Sequence, residues 1–295
     1  MQGVITMLKI LFPWWLKIFV KIILSRLPIN YSTWRSISLF RHSAPNVNES
    51  ATALKIIERY LSIARQYVSL DESYSCLELG PGDSIITSLA AKKHGASQYW
   101  LIDTDKFART DLKHLVDTSL DMGIIHKNFN MFRTTDDLLK YNKIEYKTDG
   151  IKSYAEIPDS SIDLIWSRSV LEHIHLEKFN SILKELHRVL KSGSVSVHSI
   201  DFRDHLSGGI NNLRFSKNIW ESYLFRNSGF YTNRLRPSQM INLFSKNRFE
   251  VSIFRQDFLD KIVLPRTKLS KDYRNLSDDD LRTTGMILVA KALKK

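Results

Sequence analysis

Apolar residues beyond the first 48 positions recur with two different spacings, and these spacings predict alternating helices and strands. Helical spacing marks residues 50–68, 84–93, 107–120, 170–190 and 237–244. Short apolar runs predict strands over residues 74–79, 98–102, 144–147, 162–166, 194–200, 250–254 and 286–290. Because strands alternate with helices, we expect an α/β fold: a doubly wound, mostly parallel sheet of seven strands with helices on both faces.

Two stretches between the predicted elements are longer than ordinary connections. They are residues 201–235 and 256–284, and structureless loops above about 12–15 residues are uncommon in compact domains. We expect both to be inserts that cover a substrate. We therefore expect two parts: a leader, residues 1–48, and one domain large enough for an enzyme, residues 49–295, which contains both inserts.

The leader combines positive charge with bulky apolar side chains. It has no acidic residue and six basic ones, Lys9, Lys17, Lys21, Arg26, Arg35 and Arg41. A lysine at the centre of a membrane-spanning helix costs about 3 kcal/mol, so Lys17 and Lys21 argue against a spanning segment. The apolar side chains that surround them are Trp14, Trp15, Phe19, Ile22 and Ile23. This pattern predicts an amphipathic helix on an anionic membrane surface; the alternative is a helix that docks on its own domain.

The strongest chemical signal is a glycine turn after the first predicted strand. Gly80-Pro81-Gly82 ends that strand and precedes a helix, an arrangement in which the backbone can approach a ligand closely. Asp103 ends the next strand, about 20 residues on, where a carboxylate can accept hydrogen bonds from two ribose hydroxyls. Together the turn and the carboxylate predict a nucleoside site.

The charge around the turn narrows the nucleoside. The third glycine of the dinucleotide fingerprint would fall at Ile85, and Asp83 places a negative charge where a pyrophosphate would lie. A dinucleotide is therefore disfavoured. Glu78 and Asp83 suit a positively charged ligand, such as one that carries an ammonium group and a sulfonium group.

Residues 73–199 resemble the class I S-adenosylmethionine-dependent methyltransferases, in the branch with a type 11 methyltransferase domain. The segments that carry the resemblance are 78–82, 149–150, 157–167, 170–173 and 185–193. The resemblance implies S-adenosylmethionine as the cofactor, bound by Glu78, Gly80, Pro81, Gly82, Asp103, Asp149, Gly150 and Ser167. The spacing from Asp149 to Pro158 is longer than is usual in the family, so Tyr154 or Ala155 is an alternative neighbour of the adenine.

Polar residues that follow the fourth and fifth predicted strands are the candidates for catalysis. Methyl transfer to a hydroxyl requires alignment of the acceptor and loss of its proton, and because alignment can supply more of the rate than a base, some such enzymes use no base. Ligands in open α/β sheets lie beyond the carboxyl ends of the strands. His205 is the first candidate base, oriented by Asp201 or Asp204, and His173 is the second. A solvated loop histidine, or a packing role for His173, is the structural alternative.

Arginine and asparagine side chains in the first insert predict the class of acceptor. They are Arg203, Asn212, Arg214, Asn233 and Arg234. Guanidinium groups bind phosphate and amides pair with hydroxyls, so these residues suit a saccharide or a phosphorylated, lipid-linked acceptor. The insert also resembles methyltransferase-like proteins of bacterial surface-polysaccharide gene sets. No metal site is predicted, because His173 and His175 point to different sides of a helix.

Composition adds one consideration, the net charge. The chain has 43 Lys and Arg against 31 Asp and Glu, a formal charge of +12, which favours an anionic partner. Its one cysteine, Cys76, cannot form an internal disulfide.

We expect an O-methyltransferase of saccharide or lipid-linked intermediates, peripheral on the cytoplasmic face of the cell membrane. The alternatives are an RNA-modifying methyltransferase and a non-catalytic, cofactor-binding adaptor at the membrane.

Overall fold

The computed structural model describes residues 13–26, 48–126 and 132–293, so most of the predicted leader lies outside the described residues. Seven strands form one sheet, in the order β3-β2-β1-β4-β5-β7-β6. The strands are β1 (Tyr74–Leu79), β2 (Ala96–Ile102), β3 (Ile144–Lys147), β4 (Ile162–Arg168), β5 (Leu190–Asp201), β6 (Phe249–Phe258) and β7 (Thr283–Ala292). Neighbours among β1 to β5 pair in parallel, whereas β7 runs antiparallel to both β5 and β6. The predicted seven-stranded, mostly parallel sheet is confirmed.

Helices fill the connections between the strands. They are α1 (Trp14–Leu24), α2 (Ser50–Ala64), α3 (Ile86–Lys93), α4 (Leu112–Asp121), α5 (Thr135–Tyr141), α6 (Leu176–Val189), α7 (Lys217–Trp220), α8 (Tyr223–Arg226), α9 (Pro237–Lys246) and α10 (Asp278–Arg282). Short 3₁₀ turns cover Gly150–Glu156, Leu171–His173, Asn211–Arg214 and Arg266–Lys268.

Alternate residues of the central strands face two separate cores. On β1, Cys76 points to a cluster that includes Ile57 of α2 and Leu89 of α3. Its neighbour Leu77 points to the other face, where α6 contributes Phe179. Successive side chains of a strand point to opposite faces, so burial on both faces explains why β1 reads as a continuous apolar run.

Two helix boundaries differ from the predicted ones for identifiable reasons. The helix predicted over residues 107–120 begins only at Leu112, because the Asp111 carboxylate accepts a hydrogen bond from the His114 amide and caps the helix there. The helix predicted over residues 170–190 is divided in two. The Asn233 side chain donates to the carbonyl oxygens of Leu171 and Ile174, at 2.7 and 3.0 Å, and so competes with a continuous helix.

The predicted second insert, residues 256–284, is shorter than expected. Strand β6 continues to Phe258 and pairs there with Thr283, the first residue of β7. Helix α10 lies inside the stretch, capped by the Ser277 hydroxyl.

Helix α5 was absent from the prediction, although Thr134 and Asp137 form a capping box that marks its start.

The described part of the leader is helix α1, which docks on the first insert. Its inner side chains, Trp14, Ile18 and Ile22, pack against a cluster formed by Leu206, Trp220, Phe230 and Tyr231. The expected alternative, docking on its own domain, is therefore observed for one face of the helix. Among the described residues, no helix has the length and hydropathy that a membrane crossing requires.

Candidate functional site

The turn between β1 and α3 depends on two glycines with left-handed backbone angles. Gly80 has φ +69° and Gly82 has φ +62°. A Cβ at Gly80 would lie only 2.5 Å from a methyl carbon of Val170, so the turn packs tightly against the chain that follows β4. At Gly82 a Cβ would meet no atom within 4 Å, so this glycine leaves open space. The turn thus has one packed side and one open side.

Asp103 joins the turn to the end of β2. Its Oδ2 accepts a hydrogen bond from the Gly82 amide at 3.0 Å, and its Oδ1 accepts one from the Thr104 amide at 2.7 Å. Its carbonyl oxygen accepts one from the Gly150 amide at 2.9 Å, which brings a third predicted residue to the same place. Burial raises the pKa of Asp103 above its usual range, and no basic side chain of the described residues forms an ion pair with it. The carboxylate keeps lone pairs for hydroxyl donors.

Glu78 lies beneath the turn in a polar network that sequence reasoning did not anticipate. Its Oε2 accepts hydrogen bonds from the Thr87 hydroxyl at 2.6 Å and from the Tyr99 hydroxyl at 3.0 Å. The Trp166 indole in turn donates to the Tyr99 oxygen at 2.8 Å. Burial raises the pKa of Glu78 to about 7, so its charge changes near neutral pH. The sequence signal for this network was Thr87, a hydroxyl-bearing residue in the first turn of α3.

The predicted adenine neighbours separate into buried and accessible residues. Gly150 begins the 3₁₀ turn with φ +57°. The Asp149 amide donates a hydrogen bond to the Ser153 hydroxyl oxygen at 3.1 Å. Of the two alternatives, Tyr154 is packed in the core and Ala155 is exposed. Ser167 is completely buried on β4, and its hydroxyl is bonded to a ring nitrogen of His198 at 2.7 Å. The Ser167 side chain is therefore packed in the core beside His198 and is not open to a ligand.

Two histidines lie together beyond the carboxyl ends of β4 and β5. We call this region, formed by residues 169–174 and 201–206, the acceptor side, because the sequence predicts that the acceptor binds there. The rings of His173 and His205 meet edge to face with centroids 4.8 Å apart. His173 Nδ1 lies 3.0 Å from the Tyr231 carbonyl oxygen, which fixes that ring. A cleft of about 270 Å³ opens at the same edge of the sheet, and Asp201 and Arg203 contribute to its wall. The structure thus brings the three predicted catalytic residues to one edge.

The two carboxylates that were expected to orient His205 differ in their surroundings, and Asp201 has an electrostatic interaction with His205 that lowers the pKa of Asp201. Asp201 is held by a two-pronged contact from Arg203, at 2.9 and 2.7 Å. Burial raises the pKa of Asp201, but the bonds from Arg203 outweigh it and hold the pKa below its usual range. Asp204 is buried and accepts amide hydrogen bonds from Leu206 and Asn211, so its role is to close the loop. A role of Asp204 in orienting His205 stays a prediction, since both of its oxygens already accept amide hydrogen bonds within the loop.

Glu172 is a buried carboxyl group that sequence reasoning passed over in favour of its neighbour His173. Its Oε1 accepts a hydrogen bond from the Asp201 amide at 3.1 Å, and its Oε2 has no hydrogen-bond partner among the described residues. Burial raises the pKa of Glu172 to about 8. An acid between Leu171 and His173 in an otherwise apolar stretch was the signal in the sequence. Glu172 fixes the end of β5 on which the acceptor side is built.

The predicted substrate residues divide into scaffold and surface. The Asn212 amide donates to the Thr232 hydroxyl at 3.1 Å, and the Asn233 amide bonds backbone carbonyls. Arg234 is buried and donates to the carbonyl oxygens of Asn212 and Phe215. These bonds give Asn212, Asn233 and Arg234 a structural role, in contrast to the contact with substrate that the sequence predicted.

Arg203 and Arg214 are the predicted substrate residues nearer to solvent. The Arg203 side chain is exposed beside the cleft, paired with Asp201. Arg214 is half-buried, with its guanidinium carbon 5.2 Å from the ring centre of Trp14 on α1. Contact between these two arginines and an acceptor stays a prediction. Within the part of the chain that the structure describes, no group of three or more ligating side chains could hold a metal ion.

Comparison with known proteins is consistent with this geometry. Residues 77–197 match the family described as "Methyltransferase domain". No curated protein matches the chain. One similar structure, the YcgJ protein of Bacillus subtilis, has 13% identity and a TM-score of 0.46, covering 83% of this chain and 100% of that one.

Two further structures are similar to the same extent. A Methanosarcina mazei S-adenosylmethionine-dependent methyltransferase has 18% identity and a TM-score of 0.45, covering 79% of this chain and 98% of that one. Haemonchus contortus phosphoethanolamine N-methyltransferase 2, in complex with S-adenosylmethionine, has 13% identity and a TM-score of 0.46, covering 91% and 61%. The family match spans the glycine turn, Asp103 and the strands that position them. Residues 77–197 of the chain therefore form a methyltransferase domain, built on the mostly parallel seven-stranded sheet described above.

Proposed function

We propose that the enzyme methylates a hydroxyl oxygen of a saccharide or of a lipid-linked intermediate of surface-polysaccharide synthesis. The observation that carries the proposal is the pair of histidines, His173 and His205, at the edge of the sheet where the glycine turn also lies. A hydroxyl acceptor needs a base near its proton, and a histidine is basic near neutral pH.

The residues present fit the cofactor. Asp103 offers a carboxylate for ribose hydroxyls, the open side of Gly82 admits close approach, and Glu78 supplies negative charge under the turn. When bound, S-adenosylmethionine supplies an electrophilic methyl group on its sulfonium sulfur. The proposed roles of the chain are to hold the acceptor in line, exclude water and accept the hydroxyl proton.

The proton is assigned to an imidazole of the histidine pair. With the cofactor bound, His205 or His173 would accept the proton of the acceptor hydroxyl as its oxygen takes the methyl group and the sulfonium leaves as a neutral thioether. The Tyr231 carbonyl oxygen lies 3.0 Å from Nδ1 of His173, which holds that ring in place. Glu172 acts as a positioning residue through its bond to the Asp201 amide.

The class of acceptor is supported by the groups beside the cleft. Exposed Arg203 offers a guanidinium that suits phosphate, and the polar wall of the cleft suits hydroxyl groups. An RNA acceptor would require a basic surface that tracks the phosphate backbone. Much of the positive charge of the leader is interleaved with aromatic side chains instead, which favours the lipid-linked acceptor over RNA.

The test is release of S-adenosylhomocysteine with candidate acceptors. Purified enzyme is incubated with methyl-labelled cofactor and, in turn, a lipid extract of the cells of origin, soluble saccharides and total RNA. We expect labelled product from the lipid extract or the saccharides, identified by mass analysis as a methyl ether. Label transferred to RNA alone would overturn the proposal, and cofactor binding with no turnover on any acceptor would favour the adaptor.

Variants of the histidines then test the base. His173→Gln and His205→Gln are compared with His187→Gln, whose ring lies in the last turn of α6 and contacts the Leu293 carbonyl oxygen. Loss of a general base lowers turnover about 10²- to 10⁴-fold. We expect one of the first two variants to lose this much, with cofactor affinity unchanged, and His187→Gln to retain activity. Full turnover in both would remove the base from the proposal.

A further inference from the structure

Helix α1 carries two apolar stripes on different faces. The inner stripe, Trp14, Ile18 and Ile22, packs on the first insert. The outer stripe consists of Trp15, Phe19 and Ile23, each four residues after the last, and these side chains are 50%, 61% and 63% exposed. Residues four apart lie on one side of a helix, so the outer stripe is a continuous apolar surface.

We propose that the outer stripe binds the surface of an anionic lipid bilayer, with α1 lying in the plane of the membrane. The described leader contains Lys17, Lys21 and Arg26 and no acidic residue, so the helix that carries the stripe is cationic. An apolar stripe with an aromatic ring on a short cationic helix is the pattern of interfacial helices. Eleven helical residues span about 16 Å, half the thickness of a bilayer core, so the helix lies on the membrane.

A second copy of the chain fits the outer stripe less well. Pairing two copies of α1 would bring four positive charges together, Lys17 and Lys21 of each, without an acidic partner on either helix. A stable protein interface also buries about 800 Å² on each partner, more than three side chains provide. Charge complementarity therefore favours anionic lipid as the occupant.

The inner contacts of α1 connect this surface to the acceptor side. Lys21 Nζ donates to the backbone oxygen of His205 at 2.9 Å, and the Trp14 ring lies against Arg214. A bilayer on the outer stripe would therefore lie close to the segment that carries the candidate base. This second step rests on the proposed function: a lipid-linked acceptor would reach the site from the membrane to which the enzyme is bound.

The experiment is co-sedimentation of the full chain with vesicles of phosphatidylcholine, with and without phosphatidylglycerol. The test variant is Phe19→Gln with Ile23→Gln. The matched control is Phe254→Gln with Ile253→Gln, which removes the same two side-chain types from exposed positions of β6, 38% and 44% exposed. Glutamine retains helix propensity, so the test variant should keep α1 helical.

We expect the wild-type chain and the control to bind vesicles that contain phosphatidylglycerol, less at high salt, and to bind pure phosphatidylcholine much more weakly. Each lost side chain should weaken partitioning about tenfold, or about 100-fold for the double variant. Cofactor affinity, measured on the same samples, should be equal in all three proteins. It reports on the methyltransferase domain separately from the membrane surface.

Three outcomes would overturn the membrane surface. They are no binding of the wild-type chain to anionic vesicles, equal binding of the test variant and the wild-type chain, and a wild-type dimer that the test variant converts to a monomer. The dimer would show by light scattering and would assign the outer stripe to a second copy. None of these results bears on methyl transfer to a soluble saccharide, so the proposed function is tested independently.

Discussion

The cofactor crevice and the acceptor side are held together in different ways. In the crevice, short backbone contacts connect neighbouring loops: the Gly82 amide bonds Asp103, and the Asp103 carbonyl oxygen accepts from Gly150. On the acceptor side, the decisive contacts come from side chains distant in sequence, as when Asn233 bonds the Leu171 carbonyl oxygen across 62 positions. One region is made by a local motif and the other by the packing of an insert.

This difference predicts which variants affect binding and which affect folding. Under the proposed function, Asp103 and Glu78 interact with the cofactor, so their loss should lower cofactor affinity and leave the fold intact. Side chains of the insert are buried donors to backbone carbonyls, so their loss should lower stability first. Four measurements, taken in order of expected size, would break or sharpen this contrast.

The largest effect is expected at Arg236, on the acceptor side. Its side chain is buried and donates to the carbonyl oxygens of Phe202, Asp280 and Thr283 at 2.6–2.8 Å. Burial lowers its pKa to about 10, so the guanidinium stays charged at neutral pH. Arg236→Met should lower the free energy of unfolding by about 3–5 kcal/mol, because three carbonyls lose a charged partner. Urea unfolding measures it.

The control for this variant is Arg255→Met, which removes an exposed guanidinium paired only with Asp257. Its effect should stay within about 0.5 kcal/mol, as is usual for surface substitutions. Equal stabilities for Arg236→Met and Arg255→Met would show that the buried network contributes nothing. The contrast between the two regions would then lose its main support.

The two glycines of the turn should respond differently to alanine. Gly80→Ala places a Cβ against Val170 and forces a left-handed alanine, a combined cost of about 3 kcal/mol of stability. Gly82→Ala has only the backbone term, about 1 kcal/mol, because its Cβ would enter open space. Thermal unfolding measures both. If cofactor affinity falls more for Gly82→Ala than its stability does, the open side of the turn faces the ligand.

Asp103→Ala should lower cofactor affinity by about 2 kcal/mol, roughly 30-fold, because charge-assisted bonds to the ribose are lost. The matched control is Asp105→Ala, two residues on, whose carboxylate is exposed and accepts only from the Lys106 amide. Calorimetric titration with S-adenosylhomocysteine measures both. Unchanged affinity of Asp103→Ala would remove this residue from the site and leave the crevice without its ribose partner.

The contrast also explains what the sequence could reveal about the fold. Strands β1 and β3 were predicted with their observed bounds, since buried parallel strands are short apolar runs. Strand β5 was predicted to begin four residues after its observed start at Leu190. Leu190 pairs with Ile162 and Val195 with Leu164, so a bulge carries the strand through Gly193, which reads as a turn. Its start depends on the neighbouring strand, and local spacing does not contain that information.

For the candidate site, the predicted proximity of residues was confirmed only where residue types are imposed locally, and their roles stay predictions. Gly80, Gly82 and Asp103 were brought together as expected, because strand order in a parallel sheet fixes their distance. The insert was less predictable. Arg234 and Asn233 have the residue types of a phosphate- and hydroxyl-binding surface, but in the fold they bond backbone carbonyls. Whether a polar side chain in an insert faces ligand or backbone depends on packing partners that adjacent residues do not specify.

The smallest expected effect concerns pH and returns to Glu78. Its pKa is about 7 in the folded protein against 4.5 for an ordinary glutamate, because burial disfavours the charge. The folded state therefore holds the proton more tightly than the unfolded chain. Its contribution to stability is full below pH 4.5 and is lost as pH rises towards and through about 7. A cationic cofactor has the opposite preference, because it binds the ionised carboxylate better.

Cofactor affinity should consequently rise about fivefold between pH 6 and pH 7, as the ionised fraction of Glu78 grows from about a tenth to a half. In this range an α-ammonium group remains largely charged, so the ligand contributes little to the change. In Glu78→Gln the neutral amide can still accept from Thr87, and the affinity should be low and nearly independent of pH. Calorimetric titration of both proteins at about pH 6.0, 6.5 and 7.0 measures cofactor affinity as Glu78 ionises. It distinguishes a pH-dependent affinity in the wild-type chain from a nearly constant one in Glu78→Gln. An equal pH dependence in both would mean that the buried carboxylate only supports the turn and that the crevice, like the insert, uses this side chain as scaffold.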